Sequence, residues 1–412
     1  MTLYPLAYPR QTIKDDILRV RCDPRAVSIF ASKSDIVPIY IHDIKPAMAN
    51  IIKQEMLSQK GDAVVHEKSV SCEISKTDVI LLGSFSVLRN FVNKLRAHPY
   101  PTLMELTNRL DALLNHLQRP LVEQTSPHGR VISYHRPLIM GILNTTPDSF
   151  FDGGKYLSPD EALKRAELMI QEGADIIDIG GESTRPGSDP VPLEEELKRT
   201  IPVIESLRKH FDIPLSIDTT KAEVAKRAIE AGADIINDIS GMTFDEAMPS
   251  VLAETQAIGI IGHIKGTPKN MQQNPVYENV IRELIEYFED RIKSLTSFKI
   301  KRENLIIDPC IGFGKTAEHN LTILKHTSAF CSFGLPVLIG ASRKSTLGKI
   351  LSPDNPFPPE ERLYGTLAAH LFAWMEGASI VRVHDIRAHH DIRKTLLAIK
   401  NETISAENDS TR

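Results

Sequence analysis

The chain has 412 residues, 42% hydrophobic and 25% charged, with a formal net charge of −4. Such a composition is globular, excludes disorder throughout, and is long enough for one large domain plus a smaller one. Acids and bases are mixed along the length, so no basic stripe suits a phosphate backbone and nucleic acid is not an expected partner.

The opening stretch, MTLYPLAYPRQTIKDD, has no basic cluster followed by an apolar run, and no uncharged run reaches bilayer length. The expectation is a soluble, cytoplasmic protein with no membrane segment. Cys22, Cys72, Cys310 and Cys331 are widely spaced with no C-x-x-C pair. Reduced, mostly buried thiols are expected rather than a zinc cage or a disulfide framework.

In chain order, residues 1–118 mix helical patterns at Lys45–Leu57 and Leu103–Leu117 with strand-like runs at Val37–Ile41 and Val79–Leu82. They predict a small α/β domain. His66 and Cys72 lack further ligand-type partners and read as structural. A boundary falls near Gln118. Leu121–Ser133, with Ser126-Pro127-His128-Gly129 at its centre, predicts a β-hairpin closing the bottom of the larger domain, and a plain linker fits nearly as well.

From Pro137 onward, within a barrel domain expected over residues 119–402, short β-branched runs alternate with longer amphipathic stretches, the pattern of βα units. Strands are predicted at Leu138–Leu143, Ile176–Ile179, Pro214–Ile217, Ile235–Asn237, Ile258–Gly262, Leu305–Asp308, Pro336–Gly340 and Ile380–Val383. Eight such strands predict a TIM (β/α)8 barrel, so the fold class is α/β, a TIM barrel behind a small α/β N-terminal domain. Ser158 and Glu161 form a capping box ahead of a helix that stops at Gly173. The same junction recurs in EGADIIDIGG, AGADIINDISG and EGASIVRVHD: a helix end, a glycine, then a buried strand with a polar far end. Residues 403–412 are expected to be a disordered tail.

Barrel enzymes carry their chemistry beyond the C-terminal ends of the strands. After the first strand, Asn144 and Asp148 offer oxygens suited to Mg²⁺, which takes few protein ligands; an Asx-turn is the bland alternative. After the second, Thr184-Arg185-Pro186-Gly187 exposes a guanidinium able to pair with an anion, or simply a solvated charge. Asp218, Asn237 and Asp308 end three further strands. One such residue often only caps a helix, whereas three converging on one mouth suit a flat heterocycle rich in N–H donors and ring acceptors. Ser342, Arg343 and Lys344 open a helix after the seventh strand. Arg382 and His384 alternate onto one side of the eighth, where a buried arginine calls for an anion, here a diphosphate.

Two lookalikes fail. Gly312–Thr316 suggests a P-loop, but Pro309 stands where Walker A requires glycine. The dinucleotide pattern there lacks an acidic residue at the end of the next strand.

The blocks T-P-D-S-F, G-G-E-S-T-R-P-G, S-I-D-T, N-D-I-S-G, D-P-C-I-G-F-G-K, S-R-K-S and R-V-H-D occur in this order between about Pro137 and Lys400. This stretch resembles the dihydropteroate synthase family. The resemblance implies a pterin held by Asp218, Asn237, Asp308 and Lys344, with Asn144 binding Mg²⁺ and, together with Thr184, Arg382 and His384, the pyrophosphate. It implies a p-aminobenzoate pocket from Thr184, Pro186, Phe313, Gly314, Lys315 and Ser345, with Asp148, Arg185, Asp218 and Lys344 the catalytic set. Pyrophosphate would leave first and the arylamine would attack the pterin cation, with the loops carrying Asp148 and Thr184-Arg185-Pro186 closing over it. Members of the family are commonly homodimers. The sequence departs from the pattern at Thr145, often valine or glycine, and at Cys310, usually glycine; Cys310 is expected to be tolerated.

The N-terminal stretch is similar to an extension found before some bacterial and archaeal synthase barrels, and lacks the motifs of the pterin pyrophosphokinase fused to the synthase elsewhere. Two other readings compete. A pterin-dependent methyltransferase needs no diphosphate clamp, so Arg382, His384 and the S-T-R-P loop weigh against it. A non-catalytic pterin-binding paralogue is disfavoured because the matched polar positions are intact.

Overall fold

A computed structural model describes residues 23, 25, 27, 33, 36–146, 158–184 and 187–401. Asp148, Arg185, Pro186, Cys22 and the 403–412 tail lie outside them. The chain divides into two compact units between Gln118 and Arg119.

In the first unit, β1 (Val37–Ile44), β2 (Asp62–Val65) and β3 (Thr77–Gly83) form an antiparallel sheet in the order β1-β3-β2. Alternate residues Val37, Ile39, Val79 and Leu81 are buried, together with Ile52 and Met56 from helix Pro46–Ser58 and Leu88 and Phe91 from helix Phe85–Leu95. A third helix, Pro101–Gln118, adds Leu103, Leu110 and Leu114. The structure thus adds β2 and helix Phe85–Leu95 to the predicted elements. His66 Nδ1 accepts from Lys68 N (3.1 Å), capping a short 3-10 turn.

In the second unit, β4 (Glu123–Thr125) and β5 (Val131–Ser133) make the hairpin. Eight parallel strands come after it: β6 (Leu138–Asn144), β7 (Ile176–Gly180), β8 (Leu215–Asp218), β9 (Ile235–Asp238), β10 (Ile258–Gly262), β11 (Leu305–Asp308), β12 (Leu338–Ile339) and β13 (Ile380–Val383). Their order is β11-β10-β9-β8-β7-β6-β13-β12, and a bridge from Ile307 to Val337 joins the two ends, which makes a (β/α)8 barrel. Only β12 is much shorter than predicted. Pro336 has no N–H to give a ladder, and its carbonyl instead accepts from Ile307 N (2.9 Å).

Outward residues such as Ile177, Ile179, Ile217 and Ile236 pack against the helices in one large core. Inward residues Leu138, Met140, Ile176, Ile235, Ile258, Ile260, Ile306, Leu338 and Ile380 form a separate cluster with Ile132 of the hairpin. The hairpin therefore seals the end at which the strands begin, and Gln124 fastens it by donating to the carbonyls of Glu303 and Leu305. The repeated junction has one physical form. Gly173, Gly232 and Gly377 have φ of 101°, 112° and 99°, and the next residue donates back to the helix, as Ala174 N does to Met169 O (3.0 Å). This is the Schellman stop, which a side chain at that φ would strain.

Candidate active site

Inward positions recur every second residue along a strand, and toward the C-terminal ends they change from apolar to polar. Asp178 lies two residues beyond Ile176, Asn237 two beyond Ile235, Asp308 two beyond Ile306, and Arg382 two beyond Ile380. Cα pairing sets Asn144, Gly180, Asp218 and Asn237 in one row across β6 to β9. A methyl group built on Gly180 would stand 3.6 Å from Asn144 Oδ1 and 3.9 Å from Asp218 Oδ2. Those two oxygens thus flank the same point of the rim.

Arg382 ties the row together. Its Nε donates to Asp178 Oδ2 (2.6 Å) and its Nη2 to Asp218 Oδ2 (2.7 Å), while Asn237 Nδ2 donates to the same Asp178 oxygen (3.2 Å). Asp178 and Asp218 thus supply, from within the barrel, the negative charge that a buried arginine requires. The side chain is 22% exposed, and among the described residues Nη1 has no hydrogen bond. Burial opposes the Arg382 charge, but the two carboxylates outweigh it and raise its pKa.

The carboxylates are in a different condition. Burial pushes Asp218 up to about 7, against the pull of Arg382 and with help from Asp178, Glu196 and Asp238. Asp308 is also raised by burial, opposed by the backbone N–H of Cys310, which donates to its Oδ1 (2.7 Å). Among the described residues, Asp178 Oδ1 is buried with no hydrogen-bond partner. An orphaned carboxylate oxygen is costly, and Glu196 Oε1 and Asp238 Oδ2 share this condition among the described residues.

Lys344 stands beside this group, its Nζ 4.2 Å from the centre of the Phe313 ring. Burial and the Arg382 charge bring its pKa down to about 8, while Cys310, Asp308 and Asp218 pull the other way. Lys315 behaves otherwise. It is 2% exposed, and Nζ bonds the carbonyls of His263 (3.0 Å), Cys310 (3.2 Å) and Phe313 (2.9 Å) and lies 3.0 Å from His263 Nδ1. The ammonium expected at a p-aminobenzoate pocket is instead spent beneath its own loop, which it braces. Gly314 is required there, since a methyl group on it would come within 2.5 Å of Lys265 O.

Lys344 is the cap residue of helix Ser345–Leu351, and Ser345 is exposed. His384 Nδ1 lies 2.9 Å from Ser342 Oγ, which accepts from His384 N (3.2 Å). Burial, then Arg382 and Arg343, hold His384 down to about 3, so at neutral pH it is an uncharged donor. Thr184 is half-buried. Nearby, Lys221 is paired with Glu182 and with Glu196 (2.5 Å), linking the loop after β8 to the start of the loop carrying Thr184.

Asp218, Asn237, Asp308, Lys344, Arg382 and Asn144 therefore meet at one mouth. Asp178 also belongs to it and escaped the motif reading, because IIDIGG reads as a buried strand; counting in twos from Ile176 marks it as inward. Cys310 is buried at φ 52°, a left-handed conformation that explains why glycine suits the position.

The family described as pterin binding enzyme matches residues 140–384. A dihydropteroate synthase of Synechocystis sp. is 47% identical over 294 residues, covering 71% of this chain and 99% of the relative. This chain belongs to the dihydropteroate synthase family. Among solved structures, the Yersinia pestis dihydropteroate synthase with a sulfonamide drug complex is 40% identical with TM-score 0.64, covering 68% of this chain and 100% of that one. The Xanthomonas albilineans synthase with 4-aminobenzoic acid is 39% identical with TM-score 0.61, covering 66% and 96%.

Proposed function

We propose that this chain condenses 6-hydroxymethyl-7,8-dihydropterin pyrophosphate with p-aminobenzoate to 7,8-dihydropteroate and pyrophosphate. The observation that carries the reading is the buried carboxylate set Asp178, Asp218 and Asp308 sharing one mouth with Arg382 and Lys344. A 2-amino-4-oxo pterin presents N–H donors to acids and amides and an oxo group to a lysine, which fits Asp218, Asn237, Asp308 and Lys344.

In this reading pyrophosphate leaves first. The Arg382 guanidinium and the His384 N–H receive charge developing on the diphosphate, and Thr184 and Asn144 border the same space. The carboxylates, with Asp148, favour the methylene-pterin cation left behind. Attack by the arylamine nitrogen then forms the C–N bond, with no covalent enzyme intermediate. Arg185 and Pro186 would complete the p-aminobenzoate pocket with Thr184, Phe313, Gly314 and Ser345, excluding water that would capture the cation.

The rim oxygen of Asn144 suits Mg²⁺, which takes one or two protein oxygens and completes its shell from phosphate and water. Asn144 would hold it, and the ion would supply further charge neutralisation at the departing diphosphate. Among the described residues no helix is long and apolar enough to cross a membrane. Tyr364, Phe372 and Met375, 80%, 44% and 65% exposed along helix Leu363–Met375, form an apolar stripe that supports a homodimer.

Purified protein given both substrates and Mg²⁺ is expected to release pyrophosphate over many turnovers, and neither substrate alone should sustain that release. Sustained release from the pterin substrate without p-aminobenzoate would mean hydrolysis, and no release with both would refute the assignment.

A further inference from the structure

The ladder between β12 and β13 has only two rungs, Leu338 to Ile380 and Ile339 to Val381. Beyond it lie the two segments that present Lys344 and His384, and no strand pairing holds them together. Side chains do so instead. Ser342 meets His384, and Arg343, itself left-handed at φ 56°, makes a two-point pair with Asp385 (3.0 and 2.5 Å).

A third link is fully buried. Ala341 N donates to His370 Nε2 (2.9 Å), His370 Nδ1 lies 2.8 Å from His389 Nε2, and His389 Nδ1 lies 2.6 Å from the carbonyl of Asp385. Both rings are wholly buried, on helices Leu363–Met375 and Ile386–Asn401. The ends of this chain are backbone groups with fixed roles. An N–H can only donate, so His370 Nε2 accepts and its proton is on Nδ1. A carbonyl can only accept, so the His389 proton is also on Nδ1, and His389 Nε2 accepts from His370. Every donor then meets an acceptor in one direction. Neither ring needs a charge, and burial disfavours one in both.

We propose that His370 and His389 form a directional, uncharged relay between Ala341 and Asp385 that serves as a positioning device, holding the Lys344 and His384 segments in register where the β-ladder has ended. The relay adds a geometric requirement to the reaction assigned above and rests on that assignment only for its kinetic test. Neither histidine touches the mouth. Their effect passes through the backbone of Ala341 and Asp385, one residue from Ser342 and one from His384.

Two measurements test it on the full chain. In long-range proton–nitrogen NMR of histidine-labelled protein at neutral pH, two rings are expected as the less common Nδ1–H tautomer, and both signals should change in His370→Phe and in His389→Phe. Rings in the Nε2–H or charged form would overturn the relay whether or not the protein is a synthase. In steady-state kinetics, His389→Phe fills the space without the bonds and should lower kcat about tenfold, since small displacements of positioned groups are costly. The KM for the pterin pyrophosphate should rise while that for p-aminobenzoate holds. Kinetic constants equal to wild type, with only the Tm lowered, would reduce the pair to packing. A wild-type protein that makes no dihydropteroate would sink the assigned reaction and leave the relay to the NMR result.

Discussion

The two ends of the barrel use the same residue types to opposite effect. In GADIIDIGG, Asp175 stands just before β7 and Asp178, three residues on, at its middle; in GADIINDISG, Asp234 stands just before β9 and Asn237 three residues on within it. At the sealed end every carboxylate oxygen is used. Asp175 takes Arg136 (2.7 Å), Arg393 and the N–H of Ile139 (2.7 Å), and Asp234 takes Arg130 (3.1 Å), Arg208 (2.9 Å) and the N–H of Leu215 (3.0 Å). At the mouth, Asp178 keeps an orphan oxygen, and Asp218 and Asp308 are pushed toward the protonated state. Burial alone thus does not mark function. The distinction is whether the protein itself completes the hydrogen bonds of the carboxylate oxygens, since at the sealed end it is arginine nitrogens, Arg136 Nη1 and Arg393 Nε, that lack partners among the described residues.

The sharpest break in this comparison is Asp175→Ala. It strands Arg393, which is 2% exposed, and should cost about 3–5 kcal/mol of stability in denaturant unfolding. Turnover per folded molecule should be unchanged. A mouth variant that destabilised as much, or a sealed-end variant that selectively lost turnover, would erase the distinction.

A smaller effect comes from Lys344. Its ammonium is charged below about 8 and neutral above, so if it must donate to the pterin, kcat/KM should fall as pH rises through that value. Lys344→Arg keeps the charge and should remove this alkaline limb while lowering the plateau, because a planar fork does not replace a point donor. An alkaline limb persisting unchanged in that variant would assign it to another group.

Least of all is expected from Cys310→Gly. Relief of the left-handed φ is partly offset by the looser unfolded chain, leaving a gain under about 1 kcal/mol, read as a small rise in Tm. The bond to Asp308 comes from the backbone N–H and survives, so turnover should hold. A large rise in turnover would mean that the thiol obstructs the pterin.

All eight barrel strands were legible, because β-branched runs between glycine stops have few other solutions, and the hairpin was legible from its turn residues. The site was legible where a polar residue ended a run, as at Asp218, Asn237 and Asp308. It was not legible where the signal was alternation inside a run: Asp178 sits between isoleucines and declares itself only once Ile176 is known to face inward. The partners of Arg382 and the internal use of Lys315 depend on strand register and loop path, which no local pattern encodes. The His370–His389 link joins two helices that are read separately, and only their packing brings the rings to 2.8 Å.

The central claim is that the buried acids of the mouth hold the pterin ring. Calorimetric titration of bare 6-hydroxymethyl-7,8-dihydropterin into wild type, Asp218→Asn and Asp308→Asn tests it without any turnover. Binding should be detected in wild type and lost by at least about tenfold in each variant, the variants staying folded, since each loses a charge-assisted acceptor worth about 1.5–3 kcal/mol. Equal affinity in all three proteins would contradict the account.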